Sequence, residues 1–124
     1  MSPENCMFNS WKVIAFFDWE EVWISASILD LATCIQNFCY KDNKLDKELF
    51  NTIISSYESI RPLTKKEKEN IVNALKYVWF TLSVWTFLQF KLYHPNVDKV
   101  KRYLFYWEVW LDTLSPDDLN NKLQ

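Results

Sequence analysis

A mainly α chain of the α+β class, a short β-hairpin followed by about four helices, is the fold that three features of this sequence predict. Apolar residues recur at helical spacing in four stretches beyond residue 27. Thr64-Lys65-Lys66-Glu67 forms a capping-box pattern, in which a threonine accepts from the backbone three residues on while a glutamate reaches back. Ahead of both lie two runs rich in strand formers, 6–8 (CMF) and 11–17 (WKVIAFF), separated by Asn9-Ser10, a dipeptide suited to a tight turn. A chain of 124 residues makes one domain, able to bury roughly two thirds of its unfolded surface. Residues 1–24 carry the terminal loop and hairpin, and 25–124 the helices.

A lone two-stranded hairpin is marginal in water, so its hydrophobic side is expected to lie on the helices. The first helix is predicted from about Ser27 to Tyr40, because Ile28, Leu31, Ala32, Ile35, Phe38 and Cys39 share one face. Lys41-Asp42-Asn43-Lys44 breaks it. A second helix starts near Asp46, with Leu49, Ile53, Ile54 and Tyr57 on one face, and stops at Arg61-Pro62, since the residue before a proline is pushed out of the helical region. The capping box opens a long third helix to about Leu92, halted by His94-Pro95. A fourth, from about Val97 to Thr113, bears Val100, Leu104, Trp107 and Leu111 on one stripe, before a frayed Ser-Pro-Asp-Asp end.

Composition excludes several function classes. There is no glycine, where about 7% is usual. Walker, Rossmann and glycine-rich kinase loops are therefore all absent from these residues. A net charge of −2 and a pI near 5.4 argue against a nucleic-acid binder held by phosphate contacts. Lys65, Lys66 and Lys68, and Lys99, Lys101 and Arg102, read as solvated helix faces. The uncharged run from Tyr77 to Phe90 falls short of the ~20 residues of a bilayer span, so a buried core helix is expected and no membrane association. Cys6, Cys34 and Cys39, odd in number and with no signal peptide before them, read as reduced thiols of a cytoplasmic protein. Zinc is disfavoured, because the single histidine, His94, is remote from them.

The residues that suggest chemistry are Asn5 and Asp18, set on either side of the hairpin. Metal ions that accompany ATP take hard oxygen ligands, one or two from the protein and the rest from phosphate and water. An Asn, a hairpin and then an Asp is the order in which kinases supply them. The plainer alternative is a frayed Asn5 and an Asp18 that caps a turn.

Further stretches carry a resemblance. Met1-Ser2-Pro3-Glu4-Asn5 and Phe17-Asp18-Trp19-Glu20 resemble the Leu-x-Pro-x-Asn and metal-binding aspartate segments of the aminoglycoside phosphotransferase and choline kinase superfamily, a protein-kinase-like group. Leu29-Asp30-Leu31-Ala32, the later Asn37-Phe38-Cys39-Tyr40, and Tyr57-Glu58-Ser59-Ile60-Arg61-Pro62-Leu63 are similar to its bacterial homoserine kinase branch. The resemblance covers nearly the whole chain, most clearly residues 2–70. It implies the C-terminal lobe of a kinase that moves the γ-phosphoryl of ATP to the hydroxyl of homoserine, on the route to threonine. Asn5 would hold one Mg²⁺, and Asp18 the ions bridging the nucleotide phosphates. Asp30 would help hold the catalytic loop; a helix-dipole role is the alternative. Glu20 and Glu21 are solvated or support the metal ligands. Trp79, Trp85, Trp107 and Trp110 invite comparison with a cation cage, but their helical spacing favours core packing.

The departures carry equal weight. The His-Gly-Asp segment, which supplies the catalytic aspartate in this family, would stand immediately before Met1. Neither it nor the N-terminal lobe with its phosphate-binding lysine is in the sequence. The resemblance therefore implies negligible kinase activity for this chain alone, no catalytic residue within it, and a separate N-lobe chain as the partner a split enzyme would need. A decayed remnant is equally compatible, and the contrasting reading is a non-catalytic helical interaction module.

Overall fold

A computed structural model describes residues 3–18, 24–41 and 44–113. After a 3₁₀ turn at Pro3–Asn5, strands β1 (Cys6–Asn9) and β2 (Lys12–Phe16) pair antiparallel. The turn falls on Ser10 and Trp11, one residue later than Asn9-Ser10, and both have positive φ (46° and 66°). Two-residue hairpin loops require that hand, and glycine normally supplies it. With no glycine in the chain, a serine and a tryptophan take the strain. Register shifts between Met7, opposite Ala15, and Phe8, opposite Val13, leaving Ile14 bulged.

The expected packing of the hairpin on the helices is not observed. Phe8 is 54% exposed, Ile14 57% and Trp11 99%, and Met7, Val13, Phe16 and Phe17 are exposed as well. Val13-Ile14-Ala15-Phe16 is apolar on both faces, so the unpacked hairpin shows apolar side chains to solvent on each side.

Helix α1 (Ser27–Phe38) buries Ile28, Leu31, Ala32 and Ile35, as its periodicity predicts. The segment between α1 and the second helix is more than a plain break. Strands β3 (Tyr40–Lys41) and β4 (Lys44–Leu45) form a minimal pair there, and Asp42 and Asn43 between them lie outside the described residues. Helix α2 (Lys47–Ile60) begins where Asp46 Oδ1 accepts from the backbone N–H groups of Glu48 and Leu49, at 3.0 and 3.1 Å. Helix α3 (Lys65–Phe87) opens on the predicted capping box: Thr64 Oγ1 accepts from Glu67 N at 3.2 Å, and Glu67 Oε2 accepts from Thr64 N at 2.8 Å. It runs on into a π-helical turn, Leu88–Tyr93, before His94-Pro95 ends it. Asn96 Oδ1 accepts from Asp98 N and Lys99 N and so starts α4 (Val97–Thr113). Residues 114–124, with the frayed end expected there, lie outside the described residues, as do the side chains of Trp110 and Leu111.

The chain is thus mainly α with a small hairpin. Its core joins α1, α2 and α3 through Ile35, Cys39, Phe50, Ile71 and Leu75, all fully buried. α3 packs on α1 along one side and on α4 along another. With its π-helical extension, Lys65–Tyr93, it is long and apolar enough to cross a bilayer, yet 44% of its most apolar stretch is buried inside the protein. Ile71, Leu75 and Trp79 among its core positions give it the packing of a core helix.

Candidate functional site

The hairpin returns the chain so that Asn5, at its entrance, meets Asp18, at its exit. Asn5 Nδ2 donates to Asp18 Oδ2 at 3.1 Å, and the backbone is closed beside them by Phe17 N donating to Asn5 O at 2.9 Å. Asp18 sits in the left-handed region (φ 61°), which Asp tolerates better than most residues. That conformation turns the chain away from the strand direction at the residue whose carboxylate faces Asn5.

The donor set suits a hard cation. Asn5 offers an amide oxygen and Asp18 a carboxylate, and among the described residues no donor reaches Asn5 Oδ1 or Asp18 Oδ1. Two protein oxygens, with phosphate and water completing an octahedron, are what Mg²⁺ ordinarily takes beside a nucleotide. Among the described residues no group of three or more His, Cys, Asp or Glu side chains could form a closed metal cage. What the structure places together is the Asn5–Asp18 pair, joined by one hydrogen bond.

Asp30 stands in the first turn of α1, exposed, where the helix dipole favours a negative charge. No described contact joins it to Asn5 or Asp18. Glu20 and Glu21 lie outside the described residues. The thiols are poor nucleophiles: burial pushes Cys34 up, and Cys39 up to about 11, so both stay protonated at neutral pH.

The tryptophans divide. Trp79 is core, with Tyr40 edge-on at 5.0 Å and Tyr106 at 5.8 Å. Trp85 and Trp107 are 48% and 40% exposed. Core packing holds for Trp79 alone of the three.

One cluster has a role that its sequence did not disclose. Arg61 pairs with Glu67 at 2.8 Å and donates to the Tyr57 hydroxyl at 3.0 Å, Lys68 pairs with Glu58 at 2.7 Å, and Leu63 is buried. The Tyr57–Leu63 segment thus spends its polar groups on the joint between α2 and α3. The Arg61 guanidinium, then the Thr64 backbone and hydroxyl, hold the Glu67 carboxyl down to about 2.

The chain is similar to a homoserine kinase of Gluconobacter oxydans (strain 621H), at 33% identity over 67 residues, or 53% of this chain and 21% of that protein. It is also similar to a homoserine kinase of Polaromonas naphthalenivorans (strain CJ2), at 25% identity over 67 residues, 52% of this chain and 21% of that one. It spans about a fifth of the length of these curated relatives. No family model matches the chain, and no solved structure matches it.

Proposed function

We propose that this chain is a C-terminal part of a homoserine kinase-like phosphotransferase of the aminoglycoside phosphotransferase and choline kinase superfamily, acting in the cytoplasm. The observation that carries the reading is the 3.1 Å meeting of Asn5 and Asp18 across the hairpin, in a chain similar to two homoserine kinases. In this reading Asn5 and Asp18 would hold Mg²⁺, which would supply positive charge to offset that of the ATP phosphates. The chain's own contribution is positional: the closed hairpin fixes the two oxygens relative to each other, and catalysis of phosphoryl transfer is largely positioning and charge stabilisation. The hydroxyl that receives the phosphoryl group is that of a small molecule, homoserine by the names of the relatives. Asp30 is assigned a supporting place beside the catalytic loop, one that further polypeptide would complete. The catalytic aspartate and the phosphate clamp are not among these residues, and the chain alone is proposed to be inactive, because members of a catalytic set act as a unit. A separate N-lobe polypeptide is the proposed partner.

A second reading, a non-catalytic helical interaction module, draws on the exposed apolar side chains of the hairpin. Calorimetry of Mg²⁺ and ATP binding, alone and with a separately expressed N-lobe ending in His-Gly-Asp, separates the two. The kinase reading expects binding and homoserine phosphorylation with the added lobe, both lost in Asp18→Ala. No binding under either condition, or phosphorylation indifferent to Asp18→Ala, would overturn it.

A further inference from the structure

β2 is an open edge. The sheet it forms with β1 has two strands, and among the described residues no third strand lies beside it. Edge strands are ordinarily blunted by charge, proline or a covering element, because a bare row of backbone donors and acceptors is a template for another strand. β2 has only Lys12, at its first position; Val13-Ile14-Ala15-Phe16-Phe17 follows with no charge, proline or glycine. Val13, Ile14, Phe16 and Phe17 are all exposed, and the bulge leaves Ile14 with no residue opposite it on β1. An uncharged run of β-branched and aromatic residues is the composition of strands that pair with copies of themselves. The bulge also twists the strand, which limits such pairing to a few residues.

Charge selects the orientation. Lys12 stands at the tip of the hairpin, whereas the acids Glu4 and Asp18 stand at its base. Two copies of β2 laid antiparallel about a two-fold axis at Ile14 set Lys12 opposite the partner's Phe16 and diagonal to the partner's Asp18, within reach of a long side chain. Symmetry repeats the contact at the other end. A parallel pairing would instead bring lysine to lysine and acid to acid. The exposed parts of Phe8, Trp11, Phe16 and Phe17 alone amount to about 500 Å². A stable dimer buries about 800 Å² on each partner, so the hairpin offers a small, reversible interface.

We propose that two copies of this chain pair through β2, antiparallel and two-fold symmetric, into one four-stranded sheet. The proposal does not rest on the phosphotransferase reading, and its test contains neither Mg²⁺ nor ATP.

Sedimentation velocity of the full chain, from low to high micromolar concentration, reads the association. A reversible equilibrium between monomer and dimer is expected. Ile14→Lys, at an exposed position outside the helical core, should leave the chain monomeric with its helical circular dichroism retained. Lys12→Glu should weaken the dimer about three- to tenfold, since two exposed ion pairs become two like-charge pairs. Asp18→Lys should do the same. Mixed in equal parts, these two variants should recover the affinity that each has lost, because the pairs across a mixed dimer are again of opposite sign. Growth past the dimer, a dimer that persists in Ile14→Lys, or a mixture no tighter than either variant alone would each overturn the proposal. So would a chain monomeric at every concentration, and its sedimentation with phosphatidylglycerol vesicles would then give the hairpin to a lipid surface.

Discussion

Trp11→Gly is expected to stabilise the hairpin, although it removes the largest of side chains. Trp11 holds φ at 66° and is 99% exposed, so its ring contributes almost no burial while its backbone occupies the left-handed region. That region costs a residue with a Cβ about 1–2 kcal/mol. Glycine returns part of this through its freer unfolded chain, about 0.4–1 kcal/mol. The difference leaves about 0.5–1 kcal/mol of net stabilisation, or about two- to fivefold in the local opening constant. Native-state hydrogen exchange at Phe17 N, which closes the hairpin base onto Asn5 O at 2.9 Å, reads that constant directly. Trp11→Ala is the control, because it deletes the ring and keeps the strained backbone; protection there should be unchanged. Protection that falls in Trp11→Gly, or that rises equally in Trp11→Ala, would refute the reasoning and assign the indole a role its exposure denies.

Leu75→Ala, at a fully buried position of α3, should lower stability by about 2–5 kcal/mol in urea unfolding; a smaller loss would mean that the core collapses around the gap. Gln36→Leu should be neutral or stabilising by about 1 kcal/mol, because among the described residues no acceptor reaches the buried Gln36 Nε2, and a fall in the urea midpoint would reveal one. The Glu67 carboxyl is depressed from an ordinary 4.5 to about 2 by Arg61 and Thr64, so its contribution is present above pH about 4.5 and lost as pH falls toward 2. Glu67→Gln should flatten the urea midpoint across that window, and an unchanged slope there would locate the acid sensitivity elsewhere.

The helices were readable because each has local chemistry that marks it. Asp46 and Thr64 are N-caps whose partners sit two and three residues on, and the apolar stripe of α1 repeats at 3.6 residues. Asn5 and Asp18 were readable as a pair because a hairpin between them converts sequence distance into contact. Other features left no such mark. A two-residue strand such as Tyr40–Lys41 is too short to show alternation, and the π-helical turn at Leu88–Tyr93 has no periodic signature of its own. The turn at Ser10-Trp11 was misplaced by one residue because the usual sign of positive φ, a glycine, is missing. The hairpin's failure to bury its apolar faces is a tertiary outcome that no run of strand formers discloses.

α3 is the shared wall of the molecule, with α1 packed on one side and α4 on another. The two sides are unequal. Toward α1 the contact is made of residues such as Ile35, Ile71 and Leu75 that solvent does not reach, whereas α4 meets α3 through Tyr103, Phe105 and Tyr106, each only half-buried, and through the exposed Trp107. α4 nonetheless reaches the interior, since Tyr106 lies 5.8 Å from the buried Trp79 and Phe105 packs against the same cluster, so loss of α4 would uncover the core at Trp79.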